Sequence, residues 1–483
     1  MAEVPPASAF RTESDSMGAM QVPAGAYYGA QTQRAVENFP ISGTPMPREF
    51  IHAHVLLKKA AAVVNRDLGL LKPEIAAALI QAADEILADA PWSLGQFPVD
   101  IYQTGSGTST NMNVNEVLAS RANEILSPAP PAPRARIVHP NDHVNLGQSS
   151  NDTIPTSLQL MAFLLLRDQL LPSLETLHGA LLDQSAKLQP IIKTGRTHLQ
   201  DATPIRLGQE FLGFAGQIEA AIHRLHHACD ELQSLPLGGT AVGTGINAHP
   251  EFAQRVIGLL SQSLPPTENQ KSKIKNLAEA PNHFWPQATL DTAVSAHAAL
   301  KTLAVSLIKI ANDIRWMGSG PRAGLGEIDL PAVQPGSSIM PGKVNPVIAE
   351  SLLMVCQRVI GNDAALTAAA AQCNFELAMS IPLAAQCLHE SITLLANACA
   401  NFAKTCIDGI TATARGPALV EQGLMLATAL APVLGYDQAA AIAKEAAATG
   451  KTIREVARQR TTLTEAQLQE LLDPAKMVDP ASS

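Results

Sequence analysis

One short stretch of the chain concentrates residues that could do acid–base chemistry on an anion. Residues 335–352 read PGSSIMPGKVNPVIAESL and combine two serines beside a glycine with a lysine, an asparagine and a glutamate. Asn345 followed by Pro346 is typical of a helix N-cap and its first helical residue. The free N–H groups and partial positive charge of that helix end, together with Lys343, would suit a carboxylate. A glycine-rich loop that only caps a core helix, with Lys343 in solvent, is the alternative.

Glu350 lies in an apolar run of the same stretch, so we expect it to be at least partly buried and to need a partner such as a histidine. His198 is the candidate partner, in GRTHLQDATPIRLGQE at residues 195–210, ahead of a long predicted helix. A neighbouring carboxylate would raise the basicity of this histidine and make it a better acid–base group. A histidine near a helix start, taken alone, is more often structural.

Two further loops are dense in hydroxyl and amide groups, which can hydrogen-bond a small polyanion. They read TGSGTSTNMN at residues 104–113 and HPNDHVNLGQSSNDT at residues 139–153. A capped turn is the alternative interpretation of either loop. His139 and His143 are four residues apart, but Pro140 interrupts a helical metal-binding face, so we expect no metal. No phosphate-binding or dinucleotide-binding spacing occurs, so we expect no nucleotide cofactor.

Composition restricts the class of protein. The chain has 483 residues, with 34 basic and 43 acidic side chains and a net charge of −9, which disfavours a nucleic-acid partner. The longest apolar stretches fall short of the roughly 20 residues that a membrane span needs. The six cysteines show no C-x-x-C spacing, and the acidic opening segment lacks a signal pattern. We therefore expect a soluble, cytoplasmic protein with reduced thiols.

Long helices are predicted to position these loops. Apolar residues follow the helical period from Leu290 to Ile314, and four other stretches are similarly long and apolar, near residues 155–188, 205–233, 346–371 and 382–409. Five such helices indicate one elongated bundle. Several of them are apolar on more than one face, so we expect the bundles of several subunits to pack together. The flanks have shorter predicted helices and more loops than the centre, which predicts three regions, residues 1–147, 148–409 and 410–483.

The stretches together resemble the fumarase/aspartase superfamily, whose signature G-S-S-x-M-P-x-K-x-N is present as GSSIMPGKVN at residues 336–345. The similarity covers nearly the whole chain. TGSGT and QSSND in the polar loops resemble class II fumarases, whereas LPAVQPGSSIMPGKVNPVI looks closer to aspartases. An ammonia lyase acting on L-aspartate is therefore the main alternative, and a superfamily member without catalysis is a remote one.

The resemblance implies an all-α fold in three regions, with a central five-helix bundle that assembles into the twenty-helix core of a homotetramer. It implies a metal-independent hydro-lyase of the tricarboxylic acid cycle that interconverts L-malate and fumarate without a cofactor. The partner would be a small dicarboxylate, with no nucleic acid and no membrane. Each active site would be shared among three subunits.

The resemblance also assigns roles to individual residues. Ser337 would be the base, acting as an alkoxide, and Lys343 and Asn345 would hold the carboxylate that takes up the charge. His198, oriented by Glu350, would help to protonate the departing hydroxide. The positions that match substrate-binding residues are Ser106, Gly107, Thr108, Ser149, Ser150, Asn151, Thr197 and Ser338. A second anion site would involve His139, Asn141 and Asp142. The chain differs from the residues common in fumarases at Leu290, Ser295, Ala378 and Met379.

Overall fold

Helices dominate the computed structural model, which describes residues 10–127, 137–264 and 277–479. Part of the opening segment used above to predict localisation, residues 1–9, lies outside the described residues. The helices are α1 (Ala30–Asn38), α2 (Arg48–Asp67), α3 (Pro73–Leu87), α4 (Thr108–Leu126), α5 (Ser150–Leu165), α6 (Leu171–Leu188), α7 (Leu207–Leu232), α8 (Phe252–Ser263), α9 (Phe284–Ala288), α10 (Asp291–Met317), α11 (Val347–Ala370), α12 (Ile381–Thr405), α13 (Arg415–Val420), α14 (Ala431–Leu434), α15 (Tyr436–Thr449), α16 (Ile453–Arg460) and α17 (Glu465–Leu471). A π-helical segment, Leu166–Leu170, joins α5 to α6, so the predicted helix near 155–188 is present as one long element.

The described chain also contains four two-stranded sheets, which the all-α prediction missed. The strands are β1 (Phe10–Asp15), β2 (Gly18–Pro23), β3 (Ile192–Thr197), β4 (Gln200–Arg206), β5 (Ser234–Leu235), β6 (Ala278–Glu279), β7 (Ile328–Asp329) and β8 (Thr411–Ala412). They pair in the order β1 with β2, β3 with β4, β5 with β6 and β7 with β8, and only β5 with β6 is parallel. The mostly helical class is confirmed, with the hairpin β3–β4 as the main departure.

The chain divides into two compact units. Unit 1 comprises residues 1–171, 223–302 and 357–395, and unit 2 comprises residues 172–222, 303–356 and 396–483. The three regions were predicted from changes in composition and helix length along the chain. The division into two compact units does not test them, so they stay a prediction.

In unit 1, a buried polar network ties α10, α11 and α12 together. His297 Nε2 lies 2.9 Å from Ser391 Oγ, and His297 Nδ1 lies 3.2 Å from Asp363 Oδ1. Asn362 donates to Ser391 Oγ at 3.1 Å. Burial lowers the pKa of His297, which favours the neutral ring, while the carboxylate of Asp363 opposes this shift. Satisfied buried hydrogen bonds of this kind fix the register of packed helices.

In unit 2, two contacts bring further long helices together. Lys309 Nζ on α10 lies 4.5 Å from the centroid of the Phe214 ring on α7. Gln184 Nε2 on α6 donates to Ile407 O, just after α12, at 2.7 Å. The C-terminal helices α15, α16 and α17 share a separate apolar cluster in this unit. The predicted capping box at Thr464 and Gln467 is confirmed.

Helix α10 is the one helix of the described residues that is long and apolar enough to cross a membrane. Its apolar residues Leu300, Leu303, Leu307 and Ile314 are fully buried inside the chain. The helix also carries charged Lys309, which pairs with Asp313. These features identify α10 as the core helix of a soluble protein.

Candidate active site

Two helices of unit 1 begin side by side, and their first residues are joined through hydroxyl groups. Thr108, the first residue of α4, and Ser150, the first residue of α5, lie 2.8 Å apart between their hydroxyl oxygens. Ser106 Oγ lies 2.9 Å from Thr108 Oγ1, and Ser150 Oγ contacts Asn151 Oδ1 at 3.5 Å. The two polar loops of the sequence therefore meet in one group, here called the hydroxyl cluster: Ser106, Thr108, Ser150 and Asn151.

Gly107 makes the start of α4 possible. Its φ is +73°, and a Cβ at this position would lie 2.8 Å from Ile154 Cγ2 on α5. Any larger residue would push the two helix starts apart. The family resemblance predicted this glycine as a binding residue. Its contact with Ile154 and its positive φ indicate a role in packing the two helix starts together.

Ser149 caps α5 and closes a capping box with Asp152. Asp152 is fully buried, and its Oδ2 accepts from Gly238 N at 3.1 Å and Thr240 N at 3.0 Å. Asn151 Nδ2 donates to Ala241 O at 2.8 Å. The capped-turn interpretation of this loop is correct, and the same cap presents the hydroxyl cluster. Because each helix start carries partial positive charge, the cluster suits a carboxylate.

Two of the positions that depart from residues common in fumarases, Ala378 and Met379, lie in the segment just before α12. Ala378 N donates to Gln287 O at 3.0 Å, and Ile381 N donates to Gly105 O at 2.9 Å. A Cβ at Gly105 would lie 3.3 Å from the terminal methyl of Met379. The segment that contains Ala378 and Met379 therefore packs against Gly105, next to Ser106. Leu290 and Ser295 lie at the start of α10, where Leu290 is buried.

In unit 2, the signature stretch forms a loop that is closed at its base. Gly336 N donates to Lys343 O at 2.9 Å, and Asn345 Nδ2 donates to Gly336 O at 2.7 Å. A Cβ at Gly336 would lie 2.4 Å from Lys343 O, so glycine is required. Asn345 thus uses its side chain to close the loop, and α11 begins two residues later at Val347. The predicted N-cap at Asn345 is one residue early, since Glu350 N donates to Pro346 O at 3.1 Å and Pro346 therefore occupies the cap position.

Ser337 lies in this loop with its oxygen facing backbone donors. Ser337 Oγ accepts from Ile339 N at 3.2 Å and from Met340 N at 3.0 Å. Donors in this arrangement would stabilise negative charge on the oxygen. Ser338 and Lys343 are exposed beside it.

His198 occupies the tip of the hairpin β3–β4, where the sequence predicted the approach to a helix. Thr197 pairs with Gln200, and the two residues between them, His198 and Leu199, have φ of +54° and +59°. Positive φ at both tip residues is typical of a tight hairpin turn and costs energy when neither residue is glycine. Thr197 and His198 are both exposed at this tip.

A buried ion network, which the sequence analysis missed, holds β3 in place. Glu327 is 1% exposed and accepts from Arg196 at 2.8 and 3.0 Å, and its carboxylate lies 2.9 Å from Lys193 Nζ. Lys193 also pairs with Glu210 on α7 at 2.9 Å. Because Glu327 comes from a distant part of the chain, no local pattern around His198 could have revealed it.

Glu350 is half-buried in the first turn of α11, which agrees with the burial expected from its apolar neighbours. In the part of the chain that the structure describes, no hydrogen bond or ion pair joins Glu350 to His198, although both belong to unit 2. A single copy therefore does not assemble the predicted acid–base pair.

The residues predicted for a second anion site lie in a short π-helical segment, Pro140–Val144, and at its cap. His139 Nδ1 accepts from Asn141 N at 3.3 Å and from Asp142 N at 3.2 Å. His139 and Asn141 also line a cavity of about 450 Å³ in unit 1. Anion binding there stays a prediction.

Comparisons with known proteins find relatives over nearly the whole chain. The model of a family described as "Lyase" matches residues 18–361, and one described as "Fumarase C C-terminus" matches residues 426–479. The chain is 49% identical to the class II fumarate hydratase of Nitrosomonas europaea, over 97% of this chain and 99% of that one. The enzyme of the same name from Neisseria meningitidis is 48% identical, with the same shares covered. A crystal structure of class II fumarase from Schistosoma mansoni superposes with a TM-score of 0.93 at 36% identity, covering 98% of this chain and all of that one.

Replacing Glu327 by glutamine tests the buried ion network. We expect Glu327→Gln to lower the free energy of unfolding by about 3 kcal/mol, because it leaves buried cations without their counter-charge. Urea denaturation at a fixed protein concentration measures the change.

The matched control is Glu421→Gln, which removes a half-exposed partner of Arg454. We expect it to cost less than about 1 kcal/mol, as exposed ion pairs do. Equal costs for the two variants would show that the network does not hold β3.

Proposed function

This chain belongs to the family of class II fumarate hydratases, the hydro-lyases that interconvert fumarate and L-malate, and we propose that its active site joins the hydroxyl cluster, the Ser337 loop and the His198 hairpin from different copies. The main support for the proposal is the contact between two helix starts at Thr108 and Ser150. That arrangement presents hydroxyl groups and two positive helix ends to an anion.

The chemical difficulty is the removal of a proton from C3 of malate, which is only weakly acidic beside an ionised carboxylate. The enzyme must therefore stabilise a dianionic aci-carboxylate intermediate more strongly than the substrate. We assign the base to Ser337, acting as an alkoxide. The backbone N–H groups of Ile339 and Met340 support this role, since both already donate to its oxygen.

Lys343 and Asn345 would hold the carboxylate on which the charge develops. Asn345 Nδ2 uses one of its two N–H groups to close the loop at Gly336, which orients the other. Lys343 is exposed on the same loop and adds a full positive charge. Gly342, with a φ of +79° and open space around it, would allow the loop to close over substrate.

The other carboxylate of the substrate would bind at the hydroxyl cluster. Ser106, Thr108, Ser150 and Asn151 supply side-chain groups there, while Gly107 and Ser149 set the two helix starts. Thr197 and Ser338 would approach from the hairpin and from the Ser337 loop. A small dicarboxylate fits this division because its two ends meet different groups.

His198 and Glu350 would pair between two copies of the chain. Each lacks a partner among the described residues of its own chain, and an exposed histidine at a strained hairpin tip is well placed to reach another copy. Beside Glu350, His198 would protonate the departing hydroxide on the face opposite Ser337. Elimination would then be anti.

A homotetramer with a twenty-helix core would bring these parts together, three copies to each site. Apolar side chains on three long helices of unit 2 support assembly, because the single chain leaves them exposed: Leu212 (54%), Val305 (55%), Trp316 (54%) and Met354 (63%). A cytoplasmic location is supported by six free cysteines, of which all but Cys373 are buried.

Ser337→Ala should lower kcat for fumarate formation by several orders of magnitude with a small change in KM, because it removes the base and leaves the carboxylate contacts. Ultraviolet absorbance of fumarate measures turnover, with a chelator present. Ser263→Ala, at an exposed serine near the end of α8, is the control and should not change kcat. Turnover of Ser337→Ala near that of the wild type would exclude Ser337 as the base.

The same assay with L-aspartate tests the second candidate, an ammonia lyase, which the sequence around the Ser337 loop favours. We expect turnover of malate and none of aspartate. Turnover of aspartate alone would overturn the proposed reaction.

Sharing of the site can be tested by mixing two inactive variants, His198→Asn and Glu350→Gln. If the two residues come from different copies, about a quarter of the sites in randomly mixed oligomers contain both natural residues. We therefore expect activity to return when the variants are co-expressed. Mixed oligomers as inactive as either parent would place His198 and Glu350 in one copy.

A further inference from the structure

Lys58 is a buried cation that the reaction outlined above does not use. It lies on α2 with 2% of its surface exposed, and its Nζ donates to Asn145 Oδ1 at 2.9 Å and to Gln148 Oε1 at 3.0 Å. Both of these hydrogen-bond partners are neutral amides. Burial lowers the pKa of Lys58 to about 7, an effect that the carboxylate of Asp152 opposes.

A lysine in such a place is costly. Removing an ammonium group from water is unfavourable unless an opposite charge compensates for it, and an apolar side chain of similar size would avoid that cost. Lys58 therefore needs an explanation beyond packing. Its two partners, Asn145 and Gln148, identify the part of the structure that it binds.

Both acceptors belong to the turn that leads into α5. Gln148 N donates to Asn145 O at 3.0 Å, and Asn145 Nδ2 donates to Gln148 O at 3.1 Å, so the two residues close the turn between them. Gln148 directly precedes Ser149, the cap of α5. Lys58 thus binds the turn at both of its ends.

The same acceptor also connects the turn to α4. Asn145 Oδ1 accepts from Asn111 Nδ2 at 3.3 Å and from Asn115 Nδ2 at 3.2 Å, in addition to Lys58. Asn111 follows Thr108 by one turn of α4. One oxygen therefore links the ammonium group to both helices that begin at the hydroxyl cluster.

We propose that Lys58 is a positioning residue for substrate, which holds the start of α5 against the start of α4 and places a buried positive charge behind the hydroxyl cluster. The proposal rests on the proposed function, because it takes the ligand of that cluster to be a carboxylate of the dicarboxylate substrate. A bound anion would add a second negative charge to that of Asp152, which already acts on Lys58. Lys58 acts on binding and does not touch the reacting atoms.

The test is Lys58→Met in the full-length enzyme, assayed for hydration of fumarate and dehydration of L-malate. We expect KM for both substrates to rise about tenfold, with kcat changed less than about threefold, because a buried charge that attracts the anion is lost. The matched control is Lys59→Met. Lys59 is the next residue of α2, but it is partly exposed and pairs with Asp84, so its loss should leave KM unchanged.

Asn145→Asp provides a second variant that keeps Lys58 in place. The new carboxylate would accept from the same three donors but neutralise the ammonium group, so KM should again rise about tenfold. This variant decides the question if Lys58→Met does not fold, as judged by circular dichroism.

Wild-type kinetics are measured first, so that an error in the proposed function can be distinguished from an error in the role of Lys58. A wild-type enzyme without turnover of fumarate or malate would overturn the proposed function itself. An active wild-type enzyme with folded variants of unchanged KM would overturn the role of Lys58 alone. A lower melting temperature at unchanged KM would likewise reduce Lys58 to a structural residue.

Discussion

Two positive helix ends held in contact are the constraint on which the rest of this site depends. The partial charges at the starts of α4 and α5 repel each other, yet Thr108 and Ser150 lie within hydrogen-bond distance. Asp152 compensates from within the protein: it is buried in the first turn of α5 and accepts three backbone N–H groups, from Ser149, Gly238 and Thr240. An anion at the hydroxyl cluster would complete the compensation from outside.

The remaining parts of the site are built differently, since each is a loop held at its base. The Ser337 loop closes through Gly336, Lys343 and Asn345, and the His198 hairpin is held by the carboxylate of Glu327. Such loops present residues outward from a rigid support and leave their tips exposed. This agrees with the exposure of His198, to which we assign a catalytic role and which has no side-chain partner among the described residues of one copy.

The sequence allowed the helices and the signature loop to be predicted for physical reasons that are local. Sustained apolar periodicity marks α7, α10, α11 and α12, whose bounds agree with prediction to within a few residues. The hairpin β3–β4 was missed because its support comes from Glu327, more than a hundred residues away along the chain. Lys58 and Lys59 look alike in the sequence, and only packing against the turn at Asn145 distinguishes the buried one. The roles of Ser337 and His198 came from family resemblance, because residue types alone left structural alternatives open.

In the site that we propose, one dicarboxylate is held between the paired helix starts of one copy and the Ser337 loop of another. A crystal structure of the Ser337→Ala variant with bound fumarate tests it most directly. We expect one carboxylate within hydrogen-bond distance of Thr108, Ser150 and Asn151, and the other beside Lys343 and Asn345 from a different copy. Fumarate bound away from the hydroxyl cluster, or held by residues of a single copy alone, would contradict it.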